Sequence, residues 1–63
     1  MFLGEALKKA RERVGENQAE FAKRFGVAQP VLSRWETGQA RPSAAVRILI
    51  KRILTELEME AAE

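Results

Sequence analysis

The chain has no cysteine, no histidine, no aspartate and no tyrosine among its 63 residues. Without cysteine there is no disulfide framework and no thiolate metal site. Without histidine there is no imidazole ligand and no ordinary general base. Ser33, Ser43, Thr37 and Thr55 therefore have no histidine to activate them as nucleophiles. No enzyme, no metal and no cofactor is expected. Glycine and proline are scarce, at four and two residues, so there is little material for long loops. The longest apolar stretch, Ala44 to Leu54, is interrupted by Arg47, Lys51 and Arg52 and is too broken to span a bilayer. Glu5 comes too early for the apolar core of a secretory leader. The chain is expected to be cytoplasmic, with no membrane partner.

What is present is a globular balance: 46% hydrophobic and 32% charged residues, enough for one small core. The net charge of +2 hides an asymmetry. Residues 1–52 carry all 11 lysines and arginines against five glutamates, a surplus of +6, while residues 53–63 carry four glutamates and no base. A basic body suggests a polyanionic partner, nucleic acid before membrane surface. Much of that charge, at Lys8, Lys9, Arg13, Lys23 and Arg24, also fits an ordinary solvated face.

The periodicity is helical throughout, with no strand signal and no repeat. Leu3, Leu7, Ala10 and Val14 make one stripe of a first helix, closed by Gly15. Asn17, with Glu20 three residues on, has the form of a capping box for a short second helix. Phe21, Ala22 and Phe25 form its inner face, and Gly26 ends it. A third helix runs from about Ala28 to Glu36, with Val27, Leu32 and Trp35 inward and Gly38 after it; Pro30 is tolerated in its first turn. Ser43 caps a fourth helix. Val46, Leu49, Ile50, Ile53, Leu54 and Leu57 recur at threes and fours along it. The reading favours one long helix to about Glu58; the competing reading breaks it near Leu54, with Thr55 capping a fifth.

The outward side of the third helix reads Gln29, Pro30, Ser33 and Arg34, with Val31 at its edge and no carboxylate before Glu36. Amide and guanidinium groups without nearby anions suit a helix lying in a major groove. Asn17-Gln18-Ala19-Glu20, Ala22, Gly26-Val27, Ser33-Arg34-Trp35-Glu36-x-Gly38 and Pro42 occur in that order. With this set the chain resembles the phage repressor and Cro-like (Xre) helix-turn-helix family from Leu3 to about Ile53.

The resemblance implies an all-α, compact bundle of four to five helices, with a DNA-binding domain over residues 1–54 and a C-terminal helix over 43–63 for dimerisation. It implies a sequence-specific regulator of double-stranded DNA, most simply a repressor, acting as a homodimer on an inverted repeat. By position, Gln29, Pro30, Ser33 and Arg34 fall on the base-facing side. Asn17, Gln18, Val31, Thr37 and Arg41 fall along the sugar-phosphate backbone, and Val31 also lies within reach of a thymine methyl. Arg11 and Glu36 fall where a structural salt bridge supports the recognition helix.

Two residues depart from the family pattern: Ala28 replaces a capping Ser or Thr, and Pro30 replaces a polar base reader. Gln18 also reads as a cap-region residue, and Arg34 as a solvated one. The seam expected for the dimer is Ile50, Ile53, Leu54 and Leu57, unless a fifth helix merely covers its own core. The alternative function is an antitoxin or co-regulator module that holds a partner protein, a toxin for example, through the C-terminal helix.

Overall fold

A computed structural model describes residues 2–61. Four helices follow one another: α1 (Leu3–Val14), α2 (Gln18–Arg24), α3 (Gln29–Thr37) and α4 (Ala44–Ala61). No strand occurs among the described residues. Of the C-terminal segment assigned to dimerisation, residues 62 and 63 lie outside the described range, and so does the last of the four C-terminal glutamates.

Each helix end has a local cause. Asn17 Oδ1 accepts from Glu20 N at 2.8 Å while Glu20 Oε1 accepts from Asn17 N at 3.1 Å, a closed capping box. Such a cap contributes about 1 kcal/mol. At the end of α2, Val27 N donates to Ala22 O and Gly26 N to Lys23 O, with Gly26 at φ 69°. This pair of bonds forms a Schellman turn, and it needs a residue that enters the left-handed region without strain. Residues 25–28, four in all, carry the chain from α2 to α3. α3 starts on Ala28, which offers no side-chain cap, and carries Pro30 in its first turn, where a missing N–H costs no helical bond.

The core is assembled from all four helices: Leu7 from α1, Phe21 and Ala22 from α2 with Phe25 just after it, Leu32 and Trp35 from α3, and Ile50 and Leu57 from α4. Phe21 and Phe25 meet edge to face, their ring centres 5.1 Å apart, a favoured aromatic arrangement. Gly4 lets the start of α1 touch the end of α3. A Cβ there would run into the Phe2 ring and the Trp35 carbonyl, and would lie 2.7 Å from the Glu36 carbonyl oxygen. No other residue fits that approach without displacing backbone.

α4 runs unbroken and ends three residues beyond the expected Glu58. Ser43 Oγ accepts from Val46 N at 3.3 Å at its start. Thr55, the candidate cap of a separate fifth helix, instead donates its hydroxyl to Lys51 O at 2.8 Å. A hydroxyl bonded back to the preceding turn leaves the helix continuous.

This length corrects the expected dimer seam. Ile50 and Leu57 are buried inside the protomer, and Ile53 and Leu54 are half-buried against the same core. The last turns of α4 fold back over α1, so the stripe Val46–Leu57, apart from Leu49, covers its own domain. The large apolar residues that α4 leaves exposed are Leu49 of that stripe, with Ile48 and Met59 outside it.

Candidate nucleic-acid interface

The site is built on α3, which is held at both ends and along one side. Leu32 and Trp35 fix its inner face in the core. Its outer face presents Gln29, Pro30 and Arg34 to solvent, with Ser33 half-buried beside them. The carboxylate of α3, Glu36, turns away from this face and is 3% exposed at its side chain. The solvent side of α3 is therefore amide, ring, hydroxyl and guanidinium, with no anion to repel phosphate.

Glu36 is buried because it is fully engaged. Arg11 of α1 grips it through two bonds, Nε to Oε2 at 2.9 Å and Nη2 to Oε1 at 3.1 Å. The fork matches guanidinium to carboxylate geometry. Bonding to Glu36 raises the Arg11 pKa further above its ordinary value, against the opposing effect of burial. Arg11 Nη1 also donates to the Glu16 carbonyl at 3.3 Å, tying the α1–α2 connection to the same group. Gln18, at the first position of α2, donates from Nε2 to Glu36 Oε1 at 3.0 Å. Gln29, at the first position of α3, donates in turn to Gln18 Oε1 at 2.7 Å. Arg11, Glu36, Gln18 and Gln29 thus make one chain of hydrogen bonds from beneath the site to its surface.

The remaining expected contacts are placed as follows. Asn17 uses its side-chain oxygen for the cap and is exposed. Thr37 is exposed and directs its hydroxyl at the Ser33 and Arg34 carbonyls, at 3.1 and 3.3 Å. Arg41 is exposed in the loop after α3, and among the described residues neither it nor Arg34 forms an ion pair. Val31 is half-buried at the edge of this face, its side chain packed against the core and its N–H donating to Ala28 O at 3.0 Å, so what it can offer a partner is apolar surface and not that N–H.

Sequence reasoning missed two elements. Gly4 had no assigned role, although a glycine inside the first turn of a helix signals close backbone approach. The Arg24–Glu16 pair, bidentate at 2.9 and 2.6 Å, joins the end of α2 to the loop before it. It holds the Glu16 carboxyl below the usual carboxylate range.

Two helices meeting across a glycine turn, with the second held from behind and bare in front, is the geometry of a helix-turn-helix. A family model described as helix-turn-helix matches residues 7–57. The chain belongs to this family, of the repressor and Cro type. It is a family of DNA-binding regulatory domains and not one of enzymes. No curated protein and no solved structure matches the chain significantly. No helix among the described residues is long and apolar enough to cross a membrane. No group of three acidic residues among them is placed to hold a metal ion.

Proposed function

We propose that the protein is a sequence-specific regulator that binds double-stranded DNA as a homodimer on an inverted repeat, most simply as a repressor. The observation that carries this is the outer face of α3: Gln29 and Arg34 exposed on a rigid helix whose own carboxylate is sequestered by Arg11. Arg34 suits guanine O6 and N7, and Gln29 suits adenine N6 and N7. Asn17, Gln18, Thr37 and Arg41 lie at the flanks, where phosphates run when α3 occupies the groove. A protein seated on an operator excludes others from it, which makes repression the simplest output.

The dimer uses the outer face of α4, because Ile50 and Leu57 are already covered. Leu49, Arg52, Glu56 and Met59 fall at spacings of three, four and three, one helical stripe. Leu49 is 42% and Met59 66% exposed, and Ile48 beside them is 70% exposed. The order along the stripe, apolar, Arg, Glu, apolar, reads as its own complement in reverse. A second copy laid antiparallel sets Leu49 opposite Met59 and Arg52 opposite Glu56, the self-complementarity that a two-fold contact requires. So few apolar groups bury well under the roughly 1,200 Å² of a standard interface. The dimer is therefore weak in free solution and is completed on DNA.

The test is selection of bound duplexes from a random DNA pool, followed by titration. The expected product is an inverted repeat with half-sites about 34 Å apart, bound two to one. Binding should fall steeply with salt, and Arg34→Ala should cost about 1–3 kcal/mol and relax one base position. Leu49→Glu should abolish cooperative two-to-one binding and leave half-site affinity intact. A wild-type protein that enriches no sequence refutes the regulator reading. One-to-one binding on every enriched site refutes the dimer alone.

A further inference from the structure

We propose that the cavity between the start of α1, the end of α3 and the first turn of α4 is a binding site for a small aromatic carboxylate, and that filling it weakens the hold on DNA. The second half rests on the regulator reading above; the site itself does not.

The cavity has a volume of about 360 Å³, within the range of small-molecule sites. An apolar cavity of about 150 Å³ holds one benzene ring, so there is room here for a ring and a short acidic arm. Trp35 and Phe2 both line it, with Pro42 and Ala40 beside them. The Phe2 ring touches the Gly4 position and lies 3.7 Å from where a Cβ on Gly38 would stand. It therefore bridges α1 and α3, yet Phe2 is 49% exposed. A ring laid against it would cover that surface and meet a second aromatic wall at Trp35, a contact that aromatic groups favour.

The charge of the lining has one sign. Arg41, from the loop after α3, and Arg47, from α4, are its only charged side chains. Both are exposed, and among the described residues neither forms an ion pair. Two guanidinium groups without a carboxylate suit an anion, and a carboxylate matches their fork. The cavity between α1 and α4 shows the contrast. There Lys9 and Arg13 are joined by Glu58, 4.0 Å from Arg13, so the protein already supplies the anion. In the regulator reading Arg41 meets a backbone phosphate. A ligand carboxylate on the same guanidinium occupies its donors and sets a negative charge where the phosphate must approach. Ligand and DNA therefore oppose each other, and each weakens the other by the same factor.

Trp35 is the only tryptophan of the chain, so its fluorescence reports on the cavity without a label. The probe is sodium phenylacetate, titrated into the free protein at constant ionic strength. The expected result is a saturable change in emission, at about millimolar concentration or below. Neither 2-phenylethanol (ring without charge) nor acetate (charge without ring) should reproduce it. Arg47→Gln should weaken the binding by about fivefold or more. Ala40→Leu, which adds bulk at the lining, should abolish it, with circular dichroism confirming that both variants are folded. An absent or unsaturable response overturns the site, and so do an equal response to all three probes and variants that both bind as the wild type does. In the second arm, saturating phenylacetate should lower affinity for a duplex selected by the wild-type protein by about fivefold or more. It should also reduce the salt slope by about one phosphate contact. The same addition should leave duplex binding by the Ala40→Leu protein as it was. Unchanged duplex affinity at full occupancy overturns the opposition between ligand and DNA. A protein that gives the fluorescence response but binds no duplex overturns the regulator reading and that opposition, and supports the site alone, so the failures are distinct.

Discussion

Replacing Arg11 by Met should destabilise the protein far more than replacing Arg24 by Met, although Arg24 makes the shorter ion pair. The Arg24–Glu16 contact closes to 2.6 Å, with 36% and 23% of the two side chains exposed. The Arg11–Glu36 contact is 2.9 Å, with 16% and 3% exposed. Distance favours the first and burial the second, and burial decides. An ion pair open to water is worth about 0–1 kcal/mol, because water screens it and can replace either partner. A buried one contributes little net, but removing one partner strands the other charge, at about 3–5 kcal/mol. Gln18 would still donate to Glu36, which places the expected loss toward the lower end of that range.

A domain of 63 residues has roughly 3–9 kcal/mol of total stability. Arg11→Met should therefore remove from about a third to all of that stability, while Arg24→Met should shift the midpoint only slightly. Urea unfolding followed by circular dichroism measures both. The double variant Arg11→Met with Glu36→Leu supplies the control: with no charge left to strand, it should recover most of the loss. If Arg11→Met costs no more than Arg24→Met, the carboxylate of Glu36 reaches water in solution and the buried anchor of the site does not exist.

Three further outcomes follow from the same contacts. Gly4→Ala should cost about 1–3 kcal/mol in thermal unfolding, because its Cβ meets backbone carbonyls and an aromatic ring; an unchanged melting point would mean that α1 does not start against the end of α3. Ala28→Ser should add the cap that α3 lacks and raise stability by about 1 kcal/mol, read from the urea midpoint. Bonding to Arg24 lowers the Glu16 carboxyl pKa in the folded state, so the unfolded chain binds more protons there. That contribution is present above the unfolded carboxylate range and is lost as pH falls through the folded value. In a pH titration of stability Arg24→Met should flatten the acid limb, and an unaltered limb would show that the pair does not persist in solution.

The helices were legible because their signals are local. Stripe spacing, a capping residue and a glycine stop each act within four or five residues; α1 and α3 carry the first and the last, and α2 carries all three. The continuity of α4 was harder to read, since Thr55 is as good a cap as a mid-helix residue and only its bond to Lys51 O distinguishes the two. The expected seam failed for a physical reason. An apolar stripe states that a face must be covered but not by what, and here the length of α4 lets it lie over α1. The face of α3 was legible as an absence of carboxylates. Which of its neighbours stand behind it was not: Val31 and Ser33 differ from Pro30 and Arg34 only by rotation about the helix axis, and packing sets that rotation.

The pairing of Arg11 with Glu36, 25 residues apart, lies on the same side of this divide. No periodicity links the two, and family resemblance alone pointed to them. The structure adds that the pair is joined to both helix starts, α2 through Gln18 and α3 through Gln29. A purely apolar contact in its place would hold α1 against α3 equally well, often with greater stability. An apolar group, however, has no direction to transmit to an amide. The charge is useful because it is polar, fixed and dry, so the cost of burying it is tolerable only where orientation matters. This argues that substitutions exchanging Arg11 and Glu36 together for aliphatic residues should yield a stable protein that still binds DNA through its phosphates, with a blunted choice of base. A double variant that is stable and fully selective would show that the ion pair serves folding alone.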